Sequence, residues 1–414
     1  MRLLETSLER TAVGVCAIGF GKAAPSLVVK NEDLEKLVET SDEWISTRTG
    51  ILSRHVSVNE PISDLAAAAA SEALGQGYTV PEGLSIESSG ACDAPIDPES
   101  IDLLILTTVS PDVIVPTNAA GVRRLLGLKN AVAFDMNAAC SGFVYGIAAA
   151  ESMMAASHLP QSTSANSFER ALVISAERLT RITDWQDRNT CVLFADGAGA
   201  IVLEWREGEQ GVLSSYMRND DDDTNALTCR HSFNSPFPFD EDGVICDAEA
   251  KTRFDADKED AKEVDYGYIA SLELSCDPAS WRIDEIYGFD DRALRGGPEQ
   301  YLYMNGQKVF KFAAKAMENA IRQALDKAGI GIDDVAVFVP HQANYRIIEY
   351  AAKRLDVPID RFQISIGESG NSSSACLPMA LVDALEAGKA SKGDIVVLVA
   401  FGGGFTSGAI ALRL

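Results

Sequence analysis

Residues 132–156 read VAFDMNAACSGFVYGIAAAESMMAA, and this stretch decides the fold. Its first five residues have the pattern of a strand, small residues follow, and 140–156 form a helix that is apolar on nearly every side. A helix without a polar face has to be buried between other layers of a protein. We therefore predict a strand, a loop and an interior helix of an α/β protein.

The same order of elements occurs twice along the chain. In the first half, the apolar strand 101–107 (IDLLILT) and a helix precede the stretch quoted above. The second half has a matching series, which consists of strand 335–340 (VAVFVP), helix 344–354, strand 362–366 and helix 374–387. Strands that alternate with helices indicate parallel sheets with helices on both faces. The sequence thus predicts two related βαβα halves.

Further elements flank these two series. A helix is expected at 63–75 because Ala, Leu and Glu dominate there, and Asp64 is expected to cap it. The uncharged segment 395–412 contains a Gly-Gly-Gly turn and predicts two strands rather than a membrane span. The other predicted elements are strands at 11–18, 172–176, 190–194, 200–204, 394–400 and 408–413, and helices at 31–38, 42–46 and 117–126.

The 414 residues carry a formal net charge of −25, which disfavours nucleic acid and anionic membranes as partners. Residues 206–300 hold 24 acidic against 10 basic side chains and break the alternating pattern. We predict an N-terminal half at 11–205, an acidic insertion at 206–300 and a C-terminal half at 301–414. The eight Cys are scattered without paired metal-ligand spacing, so we expect no metal and a reducing cytoplasm.

Three side chains stand where the predicted βα units place functional groups. Cys140 opens the interior helix, where N–H groups stabilise a thiolate, although a packed core thiol is the alternative. His341 follows strand 335–340 at its carboxyl end, where α/β proteins bind ligands, although a lone His is more often structural. Asn371 precedes the second-half helix and could simply be a helix cap. The turn at 402–404 could offer an N–H to an oxyanion.

Six motifs, in this order along the chain, resemble one known family. They are SDEWISTRTGI (41–51), NAACSGF (137–143), DRNT…FADGAGA (187–200), VPHQANYRII (339–348), ESGNSSSA (368–375) and AFGGGFTSG (400–408). They are similar to those of β-ketoacyl-acyl-carrier-protein synthase III, the initiating condensing enzyme of type II fatty-acid synthesis. The resemblance covers nearly all the chain except 1–10, about 158–169 and about 210–298. It implies a thiolase-like fold with α/β/α/β/α layers.

The resemblance also implies roles for individual residues. Cys140 matches the nucleophile, His341 and Asn371 match its two partners, and the N–H groups of Cys140 and Gly403 match the oxyanion hole. The residues matching a coenzyme A site are Trp44, Arg48 and Arg188 at the adenine end and Gln307, Phe310, Ala343 and Asn344 along the pantetheine arm. Gln307 departs from the family, which often has Asn there.

Further residues match surfaces of the family. The acyl pocket is expected at Leu179, Phe194 and Val115, and Val115 would reach across a homodimer where the family often has Phe. Carrier-protein docking is expected at Arg346, Lys353, Arg354, Lys308 and Lys311; a solvated basic helix face is the alternative.

The implied reaction joins an acyl-CoA primer to malonyl-acyl-carrier protein by decarboxylative condensation, without a cofactor. A relative of secondary metabolism that transfers the acyl group to an oxygen or nitrogen acceptor is the alternative, and the retained Asn371 argues against it. A non-catalytic scaffold that binds carrier protein is a third possibility, which retention of all three catalytic side chains disfavours.

Overall fold

The computed structural model describes residues 14–222, 225–229 and 301–414. The chain divides into two compact units, and the first comprises Met1–Asp222, Ala226–Thr228 and Leu302–Leu414. The second unit, Asp223–Asn225 and Cys229–Tyr301, falls almost wholly outside the described residues. The predicted acidic insertion therefore lies mainly outside the described part, and the fold below is that of the first unit.

The strands alternate with helices as the sequence predicts. The strands are β1 (Val15–Pro25), β2 (Val28–Lys30), β3 (Ser53–His55), β4 (Ile86–Cys92), β5 (Leu103–Thr107), β6 (Val132–Met136), β7 (Arg170–Arg178), β8 (Asp196–Trp205), β9 (Val212–Asn219), β10 (Leu227–Cys229), β11 (Leu302–Met304), β12 (Val335–Pro340), β13 (Ile395–Gly402) and β14 (Thr406–Arg413).

The helices are α1 (Asn31–Leu34), α2 (Asp42–Thr49), α3 (Ile62–Ala73), α4 (Asn118–Leu125), α5 (Gly142–Ser157), α6 (Gly306–Ala328), α7 (Tyr345–Leu355), α8 (Ile366–Ser369) and α9 (Cys376–Glu386). Short 3-10 helices occur at Pro98–Ser100, Ala139–Ser141, Leu179–Ile182, Ile332–Asp334, Ile359–Arg361, Ser373–Ala375 and Gly403–Phe405.

Two large sheets organise the described part of the chain, and the pairs β2-β3 and β10-β11 form two small ones. The first has the order β4-β1-β8-β7-β5-β6, and β5 runs parallel to both of its neighbours. Every residue of β5 is buried, which confirms the prediction of a strand covered on both faces. The second sheet has the order β12-β13-β14-β9, with β12 parallel to β13.

Helices α5 and α9 form the layer between the two sheets. Their apolar side chains share one core with residues of both sheets, such as Val173 of the first and Leu398 of the second. Helix α3 packs on the outer face of the first sheet, and α6 and α7 cover the outer face of the second. The arrangement is therefore α/β/α/β/α, and the predicted layering is confirmed.

The two halves repeat the same path. In the first, β6 leads through the 3-10 turn Ala139–Ser141 into α5; in the second, the turn Ser373–Ala375 leads into α9. The predicted strand 362–366 is wrong, because only a single parallel bridge between Phe338 and Phe362 remains there. The Gln342 side chain accepts the N–H groups of Ser365 and Ile366 at 2.9 and 3.0 Å, which removes them from any ladder.

Two other local predictions are wrong. Residues 190–193 form turns and Phe194 makes only a single bridge, because the N–H of Cys191 donates to the carbonyl of Asp187 at 3.0 Å instead of to a strand. Asp64 does not cap α3: it accepts the Tyr78 hydroxyl at 2.6 Å. The carboxylate of Asp112, distant in sequence, accepts the first N–H groups of α3.

Other boundaries move by a few residues. Strand β1 runs further than predicted, to Pro25, and residues 11–13 of the prediction lie outside the described part. The predicted helix 31–38 ends at Leu34, and α2 extends to Thr49. Strand β9 pairs with β14, so the second sheet includes residues from the stretch assigned to the insertion. The predicted strand pair around the glycine turn is confirmed as β13 and β14.

Candidate active site

Cys140 lies in the 3-10 turn that links β6 to the buried helix α5. Its neighbour Ala139 has φ +48°, a left-handed conformation that is costly for a residue with a Cβ. The backbone of Gly402 comes so close that a Cβ there would lie 2.6 Å from the Cys140 nitrogen. The sharp turn and this glycine place the cysteine backbone directly against the end of β13.

Asn371 is held beside the same point by the backbone of the first half. Its N–H donates to the Leu193 carbonyl at 3.0 Å, and its carbonyl accepts the Ala195 N–H at 2.9 Å. The Ser373 N–H donates to Asn371 Oδ1 at 3.0 Å, which fixes the orientation of the side-chain amide. The Nδ2 group makes no hydrogen bond within the described part of the chain, so it can donate to a substrate.

His341 follows β12 and is 1% exposed. Its backbone N–H donates to the Val399 carbonyl at 2.8 Å. Its ring packs edge-on against Phe401, with 5.1 Å between the ring centroids. Nδ1 lies 2.9 Å from the sulfur of Cys376, the first residue of α9. The first contact fixes the backbone of His341, and the other two hold its imidazole against Phe401 and Cys376.

Ser373 and Cys376 connect the three predicted catalytic side chains. The Ser373 hydroxyl lies 3.4 Å from the Cys140 sulfur, and the Ser373 carbonyl lies 3.0 Å from the Cys376 sulfur, which in turn contacts His341. The sequence comparison assigned neither residue a role. Ser373 lies within the motif ESGNSSSA, and Cys376 directly follows it. Their proximity to Asn371 in the sequence could therefore have indicated a role in the site.

The protonation states differ from the expected resting thiolate. Burial raises the pKa of the Cys140 thiol to about 11, and burial lowers the pKa of His341 to about 3. The helix N-terminus opposes the first shift by at most about 2 kcal/mol, which is about 1.5 pKa units. Burial therefore dominates, and at neutral pH the site holds a thiol and a neutral imidazole.

The glycine turn after β13 lies against the cysteine loop. The Thr406 hydroxyl at the start of β14 contacts Ser141 Oγ at 3.1 Å and the Ala138 carbonyl at 3.3 Å. Gly404 in the turn has φ +67°, which favours glycine. The turn that carries Gly403 is therefore tied to the Cys140 loop, as an oxyanion hole requires; the N–H role of Gly403 stays a prediction.

A buried carboxylate supports both parts of the site. Glu177, at the end of β7, accepts the hydroxyls of Ser110 and Ser374 at 2.7 and 2.9 Å and the Val109 N–H at 3.0 Å. Burial raises its pKa although these hydrogen bonds lower it. Glu177 joins the loop after β5 to the turn that follows Asn371, a function that sequence reasoning missed.

The residues expected at the adenine end of coenzyme A meet on the surface. The guanidinium groups of Arg48 and Arg188 lie 4.9 and 5.0 Å from the centre of the Trp44 ring, within the range of cation–π attraction. Asn344 Nδ2 donates to the Arg48 carbonyl at 3.1 Å. The structure thus brings together residues from three distant motifs, and Ala343 lies next to them, partly buried.

The other pantetheine residues begin α6. Gln307 is exposed, whereas Phe310 is partly buried and packs edge-on against Tyr350 of α7 with 6.4 Å between ring centroids. This contact links the start of α6 to the helix that follows His341.

The expected docking residues are exposed, and several already have partners. Arg346 donates to the Thr47 carbonyl at 2.8 Å, Lys353 pairs with Glu349 at 3.1 Å, and Arg354 pairs with Glu318 at 2.9 Å. Lys308 and Lys311 lie exposed on the first turns of α6. Surface pairs of this type contribute little to stability, so these charges remain accessible to a partner.

The residues expected in the acyl pocket fall into two groups. Leu179 and Phe194 are buried in one apolar cluster, and Phe194 forms the bridge to Asn371. Val115 is 84% exposed, and Val113 and Ile114 beside it are 48% and 58% exposed. Val115 thus does not line a buried pocket of its own chain, and its place at the pocket end across a dimer stays a prediction.

The described residues contain neither a candidate metal site nor a helix that could span a membrane. Among residues 14–222, 225–229 and 301–414, no group of three His, Cys, Asp or Glu could hold a metal ion. None of the helices described is long and apolar enough to cross a bilayer. His158 stacks on Trp205 with 4.2 Å between ring centroids.

Known protein families match both halves of the chain. The family model of 3-oxoacyl-[acyl-carrier-protein (ACP)] synthase III matches residues 134–221, and that of its C-terminal region matches 325–414. A β-ketoacyl-[acyl-carrier-protein] synthase III of Clostridium perfringens (strain 13 / Type A) is 37% identical over 398 residues, which cover 96% of this chain and 98% of that protein.

The chain belongs to the 3-oxoacyl-[acyl-carrier-protein] synthase III family.

Two solved structures, among others, share its fold. The enzyme of Aquifex aeolicus VF5 has a TM-score of 0.71 and 33% identity, and the match covers 97% of this chain and all of that one. The priming β-ketosynthase of the R1128 polyketide pathway has a TM-score of 0.71 and 26% identity, over 100% of this chain and 98% of that one. The resemblance seen in the six motifs is confirmed, and the chain is a condensing acyltransferase of the synthase III family.

Proposed function

We propose that the chain condenses an acyl-CoA primer with malonyl-acyl-carrier protein and releases 3-ketoacyl-carrier protein, CO2 and coenzyme A. One observation carries the residue assignment: the Ser373–Cys376 segment contacts Cys140, Asn371 and His341 together, next to the backbone of Gly402. A nucleophile and two potential hydrogen-bond donors in one buried place form the set that decarboxylative condensation needs.

In the first half-reaction, Cys140 sulfur attacks the thioester carbon of the primer. The C–S bond to coenzyme A breaks, the proton lost from Cys140 is balanced by the proton that coenzyme A gains, and an acyl-Cys140 thioester remains. The developing oxyanion lies between the N–H groups of Cys140 and Gly403. Cation–π contacts of Arg48 and Arg188 with Trp44 form a site for the adenine end of the leaving group.

In the second half-reaction, the malonyl group loses CO2, and the electrons of the broken C–C bond form an enolate. The enolate oxygen receives hydrogen bonds from His341 Nε2–H and Asn371 Nδ2–H. The enolate carbon attacks the acyl-Cys140 carbon, and the Cys140 thiolate leaves and takes a proton from solvent. Because His341 is neutral, it donates one hydrogen bond without attracting the malonyl carboxylate, which has to leave.

A homodimer is part of the proposal. Strand β6 is an edge of the first sheet, so its outer N–H and C=O groups are available for pairing. The exposed apolar residues 113–115 provide a further contact surface. Coenzyme A as a substrate instead of a resident cofactor, and the reducing cytoplasm expected from the scattered cysteines, stay predictions.

The function and its primer are tested together with purified protein, malonyl-carrier protein and a panel of acetyl-, isobutyryl- and hexanoyl-CoA. Mass spectrometry should find one acyl group on the enzyme and then a 3-ketoacyl-carrier protein. Val115 is smaller than Phe, so the pocket end should accept longer or branched primers, at about fourfold in affinity per buried methylene. Val115→Phe should shift kcat/KM toward acetyl-CoA.

The proposed reaction and the proposed primer preference are contradicted by different outcomes. Acyl-enzyme that passes its acyl group to an oxygen or nitrogen acceptor, without CO2 release from malonyl-carrier protein, would support the secondary-metabolism alternative. A strong preference for acetyl-CoA that Val115→Phe leaves unchanged would refute the primer assignment but not the reaction.

Charge reversal tests the docking surface on α7. Arg346→Glu combined with Lys353→Glu should raise the KM for malonyl-carrier protein by about tenfold at low salt, because acidic partners are then repelled. The rate of acylation by acyl-CoA should change little.

The matched control reverses two exposed, ion-paired lysines outside α6 and α7, Lys129→Glu and Lys392→Glu, and so alters net charge equally. An equal rise in KM for the control pair would show that net charge, and not this surface, determines carrier-protein binding.

A further inference from the structure

Cys376 is a second buried thiol in the site, and its sulfur has three polar neighbours. His341 Nδ1 lies 2.9 Å from the sulfur, the Ser373 carbonyl oxygen 3.0 Å and the backbone nitrogen of Gln342 3.2 Å. The Gln342 N–H can only donate, so the sulfur accepts it, and the single thiol proton is left for either the imidazole or the carbonyl.

The imidazole next to this thiol carries one proton. A neutral His has its N–H on one nitrogen and a lone pair on the other, and the partner of one nitrogen decides where the proton lies. The Cys376 sulfur is the only hydrogen-bond partner of Nδ1 in the described part of the chain. The proposed function needs the proton on Nε2, because a lone pair there would repel the thioester oxygen.

We propose that Cys376 is the positioning residue of His341: its S–H donates to Nδ1, which keeps the proton on Nε2 for the malonyl thioester oxygen. The inference rests on the proposed function for its catalytic consequence, but the tautomer itself is a property of the free protein.

Removing the thiol should favour the wrong tautomer. In Cys376→Ala, Nδ1 loses the only donor that it has in the described part of the chain, so nothing there holds the proton on Nε2. Malonyl decarboxylation on preformed acyl-enzyme should fall by at least about tenfold, since an aligned donor is lost from the enolate site. Formation of acyl-enzyme should stay within about twofold, because His341 is not assigned to that step.

Two variants separate positioning from packing. Cys376→Ser keeps a group that both donates and accepts, so decarboxylation should recover most of the loss. Cys191→Ala removes another fully buried thiol, one outside this hydrogen-bonded set, and should lower Tm without changing decarboxylation.

Long-range ¹H–¹⁵N spectra of ¹⁵N-histidine-labelled protein report the tautomer directly. The chain has four His, and His341 is assigned by its absence in His341→Gln. We expect Nε2–H in the native protein and in Cys376→Ser, and a shift toward Nδ1–H in Cys376→Ala. An unchanged tautomer in Cys376→Ala, or normal decarboxylation by it, would overturn the proposal. If the native protein does not decarboxylate malonyl-carrier protein, the proposed function fails, while the spectra still decide the role of Cys376.

Discussion

Cys140→Ala should form no acyl-enzyme with any acyl-CoA, and condensation should fall to the background rate. The thiol is the nucleophile in the proposed mechanism, and no other described cysteine has the same combination of a sharp turn, a helix start and the close backbone of Gly402. Intact-protein mass spectrometry after incubation with acyl-CoA, followed by peptide mapping, measures the result. Cys376→Ala and Cys191→Ala are the matched controls and should still be acylated.

The pH dependence of acylation gives an independent check. Because the pKa of Cys140 is about 11, the thiolate fraction should rise about tenfold per pH unit between pH 7 and pH 10, and the acylation rate should follow it. A thiol that rests as thiolate would instead give a flat profile over that range. Acyl label on another cysteine of the native protein would refute the assignment outright.

His341→Ala and Asn371→Ala should separate the two half-reactions. Each removes a hydrogen-bond donor to the enolate oxygen, so malonyl decarboxylation should fall on the order of a hundredfold or more. Acyl-Cys140 should still form, because neither side chain contacts the primer oxygen in the proposed mechanism. Release of ¹⁴CO2 from labelled malonyl-carrier protein measures the second step, and mass spectrometry measures the first.

Asn371→Asp is a matched control for folding of the turn. Its carboxylate can still accept the Ser373 N–H but no longer offers an Nδ2–H. The loss should therefore be as large as in Asn371→Ala although the local hydrogen bond is kept. Normal decarboxylation by either Asn371 variant would remove Asn371 from the mechanism.

Most of the fold could be predicted from local pattern. The strand Leu103–Thr107 is fully buried and the first half of the helix after Cys140 is largely buried, so their apolar composition reflects their surroundings. The predicted strands at 190–194 and 362–366 failed because short apolar runs do not show where their N–H groups will bond. The Asp187 carbonyl and the Gln342 side chain accept those N–H groups, and neither hydrogen bond leaves a periodic pattern in the sequence.

For the site, the position of Cys140, His341 and Asn371 after strands or before helices was readable, and the motifs gave each a role. Ser373, Cys376 and Glu177 were not assigned, because their function lies in contacts between separate segments. Ser373 and Glu177 make contacts between the two halves, and Cys376 contacts His341 from another segment of the second half. Glu177 binds Ser374 almost two hundred positions later in the chain. Such long-range hydrogen bonds have no pattern within one segment.

The sequence by itself determined the family, the duplicated βα order and the reactive groups, because hydrophobic periodicity and motif spacing are local properties. Only the tertiary structure decided the state of those groups. Burial keeps the Cys140 thiol protonated and the His341 imidazole neutral, whereas the helix start had predicted a thiolate. Desolvation depends on all the layers packed around a group. Those layers surround Cys140 and His341 only in the folded protein.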